Sequence, residues 1–170
     1  MSAVERPWFA GAWRRRSIMV PGGEPTEPCE AWWIQAGDAF VDVRVTAPGM
    51  DNNGLPYSST RVFAGWFEIA DGEVRWHVEL DSEGPAPRID RAADAGLYIA
   101  PDDPLLMIED APGRFREEWV RHAPEGEVEF VRSGNLVAVR VGDVSGVVML
   151  LGEKVVGRVW HGQGSVGVGV

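Results

Sequence analysis

The chain has 170 residues, of which 45% are hydrophobic and 25% are charged, and its formal net charge is −10 at pH 7. This composition is that of a globular protein rather than a disordered segment, and the length predicts one domain over residues 1–170. The acidic balance argues against a nucleic-acid partner and against an anionic membrane surface, because both require a basic face.

The single cysteine, Cys29, permits neither an intrachain disulfide nor a cysteine-rich metal site. No basic segment followed by an apolar stretch opens the chain, so no secretory signal is visible. The longest apolar run, residues 147–151, is too short to cross a bilayer. The expected location is therefore the cytoplasm. The three histidines show no metal-ligand spacing, so we predict neither a metal nor a cofactor.

Short apolar segments alternate with turns rich in glycine, proline, aspartate and asparagine along the whole chain. The segment 88–95 is the one that favours a helical turn, and the alternating tail 165–170 either closes a sheet or frays. In chain order, the predicted strands are 11–20, 30–35, 39–46, 60–69, 74–80, 105–109, 115–122, 128–131, 136–141, 147–151 and 155–160.

The strand 74–80 has the clearest alternation, which predicts one buried face and one face in water. The buried face is expected to carry Val74, Trp76, Val78 and Leu80. The wet face is expected to carry Glu73, Arg75, His77, Glu79 and Asp81.

Many short strands joined by hairpin-length turns predict an all-β fold, either a sandwich or an up-and-down barrel. Hairpin connections favour the meander, and closing it removes the exposed sheet edges. We therefore predict an antiparallel up-and-down β-barrel of about 8–10 strands.

The segment Gly11-Ala-Trp13 resembles the Gly-x-Trp strand of lipocalins and other calycins, in which the tryptophan plugs one end of the barrel. The resemblance implies a calycin barrel and brings no established activity. It does not imply haem, since Arg14 to Arg16 follow Trp13 where haem-binding nitrobindins have the form Gly-x-Trp-x-Gly-x-Gly. The disulfide pair of secreted lipocalins is also missing. Further segments similar to a lipocalin-like family are 31–35, 40–45, 63–65 and 117–121.

The strand 40–45 leaves its orientation open. Its valines form one complete apolar face, while Phe40, Asp42 and Arg44 share the other. An outward Asp–Arg pair is the commoner arrangement and is favoured here. The alternative directs these three side chains into a ligand cavity.

The strand 115–122 poses the same question. If Trp119 points inward, alternation takes Glu117 and Arg121 inward with it. Buried charges need partners or a polar ligand. These groups would then either bind a ligand or bridge strands at a barrel end. On the earlier strand 30–35, Gln35 shares the face of Trp33 and would orient such a ligand.

Three functions remain open. The favoured one is a small-molecule-binding barrel that holds a partly apolar ligand with a carboxylate or carbonyl group, bound by Arg44, Arg121, Trp119, Trp33, Gln35 and Phe40. The alternative is a cofactor-free isomerase, cyclase or lyase, with Glu117 or Asp42 as acid or base beside an arginine. The third is an interaction domain with a filled core. The sequence does not decide whether the chain is an enzyme, and an oligomer is compatible with it.

Overall fold

The computed structural model describes residues 9–50, 55, 58–123 and 127–169. Within them the chain forms antiparallel strands and one 3₁₀ turn, Asp94–Gly96. The strands are β1 Gly11–Met19, β2 Cys29–Ala36, β3 Ala39–Thr46, β4 Arg61–Ala70, β5 Glu73–Asp81, β6 Arg88–Ala93, β7 Leu97–Ala100, β8 Asp103–Ala111, β9 Phe115–Ala123, β10 Val128–Ser133, β11 Leu136–Val141, β12 Val144–Leu151, β13 Lys154–His161 and β14 Gly164–Val168.

The first nine strands form one curled antiparallel sheet in the order β6-β5-β4-β3-β2-β1-β9-β8-β7. Because β1 pairs with β9, the sheet wraps around on itself, and its edge strands β6 and β7 are separated in sequence only by the 3₁₀ turn. The result is a nearly closed barrel, which confirms the predicted all-β antiparallel barrel.

Strands β10 to β14 form a second, five-stranded meander that covers the outer face of β2, β3 and β4. Most residues of β2 and β3 are therefore buried on both faces, and β4 is buried in part. We call the layer between the two sheets the outer core; it includes Trp32, Ile34, Val41, Val43, Val62, Val139, Val148 and Val159. We call the apolar layer inside the barrel the lumen core; it includes Trp13, Trp33, Phe40, Phe67, Val74, Val78, Met107 and Trp119.

One local prediction is wrong, one strand was not foreseen, and the structure decides the place of the tail. The segment 88–95 is no helical turn over most of its length, since β6 pairs with β5 as far as Ala93 and only the last residues enter the 3₁₀ turn. Strand β7 was not predicted. The tail forms β14 against β13 in the second sheet, so it does not close the barrel; Val170 lies outside the described residues.

The alternation predicted for β5 matches the observed side-chain orientations only as far as Val78. The pairing of β4 with β5 shifts between Ala64 and Gly65, which face Leu80 and Val78 respectively. The unpaired residue between them is a bulge, and it moves Leu80 into the outer core. Gly65 makes this approach feasible, because a Cβ there would overlap the backbone carbonyl of His77.

Candidate functional site

Strand β3 directs its charged residues into the barrel, so the outward orientation favoured from sequence is wrong. Asp42 is 4% exposed and Arg44 is 5% exposed. The physical reason is the second sheet, which buries Val41 and Val43 in the outer core and leaves the opposite face of β3 to the lumen. Sequence periodicity cannot reveal a covering layer supplied by a distant segment.

Strand β9 directs Phe115, Glu117 and Trp119 inward, as alternation requires once Trp119 is in the lumen core. Glu117 is 1% exposed. A carboxylate so deeply buried needs partners of opposite charge or strong hydrogen bonds.

Arg15 of β1 supplies the first partner. Its Nη1 donates to Oε1 of Glu117 at 2.7 Å. Its Nε and Nη2 donate to the two carboxylate oxygens of Glu27 at 2.7 and 2.9 Å, and Nη2 also donates to Oγ of Ser58 at 3.3 Å. Arg15 thus bridges an interior carboxylate and one nearer the surface.

Arg44 supplies the second partner. It donates to both oxygens of Asp42 at 2.7 Å in a bidentate pair, and its Nη1 lies 3.6 Å from Oε1 of Glu117. The indole Nε1 of Trp119 donates to the other oxygen of Glu117 at 3.2 Å. The guanidinium carbon of Arg44 lies 5.7 Å from the centre of the Trp119 ring, within cation–π range.

Glu109 of β8 completes the group. It is the direct cross-strand partner of Glu117 in the pairing of β8 with β9. Burial, and then the negative charge of Glu117 together with a hydrogen bond to it, raises the pKa of Glu109 to about 8. At neutral pH, Glu109 therefore holds a proton that it can donate.

Asp42 is shifted in the same direction. Burial raises the pKa of its carboxyl above the usual value, and the pairing with Arg44 offsets this only in part. Strongly perturbed carboxyl groups grouped in a cleft are typical of functional sites.

These groups line a cavity of about 90 Å³ inside the barrel. Its inner polar wall contains Asp42, Arg44, Glu109 and Glu117. The aromatic part of the wall contains Trp33, Phe40, Phe63, Trp76, Phe115 and Trp119. Strand β6 and the end of the β8–β9 hairpin line the cavity as well, with Asp90, Arg91, Ala92, Ala111 and Arg114. A concave apolar site with a few convergent polar groups is the usual form of a small-molecule site.

Two of the residues predicted to bind a ligand lie elsewhere. Gln35 donates from Nε2 to the backbone carbonyl of Gly37 at 3.0 Å, at the β2–β3 turn. Arg121 stacks over Trp13, with its guanidinium carbon 4.5 Å from the ring centre. Neither lines the cavity. The structure does bring Asp42, Arg44, Glu117, Trp119, Trp33 and Phe40 together around it.

Sequence reasoning missed Arg15 and Glu109. Alternation places Arg15 on the face of Trp13, so an inward tryptophan implied an inward arginine. Glu109 could also have been identified from the sequence, because the hairpin between β8 and β9 pairs Ala111 with Phe115. Moving two residues away from the turn on each strand places Glu109 opposite Glu117.

Among the described residues, no group of three or more histidine, cysteine, aspartate or glutamate side chains is arranged to hold a metal ion. In the same part of the chain, the structure has no helix with the length and apolar character needed to span a membrane.

Comparisons with known proteins gave no match: no family model fits the chain, and neither the curated proteins nor the solved structures contain a match to it. The chain has the architecture of a nearly closed antiparallel β-barrel with an outer sheet and a cavity lined by charged and aromatic residues. This architecture is compatible with a calycin-like fold.

Proposed function

We propose that the protein binds a small, partly apolar molecule carrying a carbonyl group inside the barrel lumen. The observation that carries this proposal is the cavity itself, in which an aromatic wall meets the protonated Glu109. The aromatic rings would bury the apolar part of the ligand. The carboxyl group of Glu109 would turn its O–H from Glu117 to the oxygen of the ligand and donate a hydrogen bond to it.

A neutral carbonyl compound fits the charges deep in the site better than a carboxylate does. There Arg15 and Arg44 already pair with Glu117 and Asp42, whereas Arg91 and Arg114, the other arginines that line the cavity, lie with Asp90 on exposed positions of β6 and the β8–β9 turn. An anionic ligand would add a further negative charge to a poorly solvated site.

The calycin resemblance supports a binding role. Trp13 is fully buried in the lumen core, and its Nε1 donates to the carbonyl of Phe9 at 2.8 Å. Arg121 covers the same ring. This arrangement resembles the tryptophan plug of calycin barrels, and the lone cysteine is in keeping with the cytoplasm as the proposed location.

The test is a titration with cyclohexanone, benzaldehyde and benzoate, followed by tryptophan fluorescence and by saturation-transfer NMR. We expect both carbonyl compounds to bind and benzoate to bind more weakly. Glu109→Leu should abolish binding of the carbonyl compounds, because it removes the donor, whereas Glu109→Gln should retain it through its amide N–H.

The matched control is Glu118→Gln on the neighbouring strand β9, since Glu118 pairs with Arg16 on the outer side. Native mass spectrometry of freshly purified protein adds a search for a retained ligand. Failure of both carbonyl compounds to bind, or binding unaffected by Glu109→Leu, would reject the proposal.

A further inference from the structure

We propose that the cavity is also an acid–base catalytic site, which moves protons at the carbon next to the carbonyl group of its ligand. In this assignment Glu109 is the acid and Glu117 is the base. The inference rests on the proposed function, because it requires a carbonyl compound in the lumen.

The two carboxyl groups have the placement that this reaction needs. Glu109 and Glu117 are direct partners across an antiparallel strand pair and line one cavity. Side chains at such positions lie about 5 Å apart at their Cβ atoms. In a ketone only the carbonyl carbon separates the oxygen from the α-carbon, so an acid and a base this close can reach both.

The surroundings assign the two roles. Glu117 accepts from Arg15 at 2.7 Å and from Trp119 at 3.2 Å, and it lies 3.6 Å from Arg44, so its surroundings are donors and cations, which assigns it the role of base. Glu109 has Glu117 and Asp42 as acidic neighbours and Arg44 as its basic one. Its raised pKa assigns Glu109 the role of acid.

The step conserves atoms and charge. Glu117 takes a proton from the α-carbon, and the electron pair of that C–H bond forms a carbon–carbon double bond. The π electrons of the carbonyl group take the proton of Glu109, which gives an enol. The pair still holds one proton, now on Glu117, and return of a proton to carbon restores a ketone. Neither an oxidant nor a reductant is consumed.

A second feature of the cavity points to an oxygen-bearing ligand. Trp33 lines it and is 4% exposed, and its buried indole Nε1 has no hydrogen-bond acceptor among the described residues. A buried donor without an acceptor costs free energy. An oxygen atom of the ligand is an acceptor that would remove this cost.

The experiment follows exchange of the α-protons of cyclohexanone with deuterium in D₂O by ¹H NMR, with saturation-transfer NMR on the same samples to report binding. We expect wild type to accelerate exchange above the buffer rate and Glu109→Gln to reduce the acceleration about 10²-fold while binding is retained. The acceleration should also fall as the pH rises past about 8, where Glu109 loses its proton.

Glu118→Gln is the control that should leave exchange unchanged, since its side chain pairs with Arg16 outside the lumen. Near-ultraviolet circular dichroism establishes that each variant is folded. Binding of cyclohexanone without acceleration, or equal acceleration by wild type and Glu109→Gln, would overturn the catalytic assignment and leave the proposed binding function standing. Absence of binding would overturn both.

Discussion

Glu109 and Glu117 face each other directly across β8 and β9 inside the barrel, at a position where two ionised carboxylates would repel. The repulsion is reduced because Glu117 pairs with Arg15 and because the raised pKa of Glu109 keeps a proton on that carboxyl group. The arrangement makes the stability of the fold depend on pH.

The first prediction concerns that dependence. In the wild type, the pKa of Glu109 is raised from the ordinary value of 4.5 to about 8. Between these values the unfolded state releases a proton that the folded state retains, so the free energy of unfolding should fall as the pH rises through this window. Glu109→Gln removes this loss. The variant should therefore gain stability relative to wild type as the pH increases from 4.5 to 8.

The measurement is urea denaturation of wild type and Glu109→Gln at pH 4, 6 and 8.5, with Glu118→Gln as the control for removing a carboxylate. A stability difference that is the same at all three pH values would contradict a proton held by Glu109.

The second prediction compares two adjacent arginines. The side chain of Arg15 is 0% exposed and pairs with Glu27 and Glu117, whereas that of Arg16 is 53% exposed and pairs with Glu118. Arg15→Met leaves a buried carboxylate uncompensated and should cost about 3–5 kcal/mol. Arg16→Met should cost less than about 1 kcal/mol. Chemical denaturation of both variants gives the comparison, and similar costs would show that Arg15 is not a buried partner.

The third prediction concerns the end of β5. Asp81 accepts hydrogen bonds from Arg61 and Arg88, and from the backbone N–H groups of Glu83 and Gly84. Burial opposes ionisation, but the hydrogen bonds from Arg61, the Glu83 backbone and Arg88 outweigh it and lower the pKa of Asp81. Asp81→Asn should therefore cost about 2–3 kcal/mol at pH 7.

A lowered pKa means that this contribution is present above the ordinary value of 3.8 and is lost as the pH falls below it. The difference between Asp81→Asn and wild type should accordingly shrink in acid. Asp90→Asn is the matched control, because Asp90 is a more exposed carboxylate that also pairs with Arg88. Thermal unfolding at pH 7 and pH 3 tests the prediction, and equal effects of the two variants would argue against it.

The fourth prediction tests the contact between the two sheets. A Cβ atom at Gly146 of β12 would lie 2.5 Å from Cγ2 of Val41 and 3.0 Å from Cδ1 of Ile34. Gly146→Ala should therefore push the second sheet from the barrel and cost about 1–3 kcal/mol. Gly134→Ala is the control, since a Cβ there meets nothing within 4 Å. The measurement is the denaturant midpoint of unfolding of the two variants. An unchanged midpoint for Gly146→Ala would mean that the two sheets are not closely packed at this position.

Much of the strand pattern was readable from the sequence because turn chemistry is local. Hairpin turns join the predicted strands 30–35 and 39–46, and 105–109 and 115–122; their glycines, Gly37 and Gly113, have φ of 58° and 76°, a left-handed conformation that favours glycine. The strand predicted at 39–46 coincides with β3, Ala39–Thr46. Adjacent Trp32 and Trp33 enter different cores, as alternation requires.

The bulge at Gly65 and the place of the tail were not readable in this way. Both depend on which strand lies alongside. Gly65 matters because the backbone of His77 approaches it, and the tail joins β13 rather than the barrel edge.

The candidate site shows the same contrast between local pattern and long-range packing. By itself, the sequence determined that Asp42 shares a face with Arg44 and Glu117 with Trp119, because side chains alternate strictly along a strand. Only the tertiary structure decided that these faces are inside. The second sheet buries the valines of β3 from the other side, and the pairing of β8 with β9 brings Glu109 against Glu117. Periodicity assigns side chains to two faces, but the long-range packing of distant strands determines which face is the lumen.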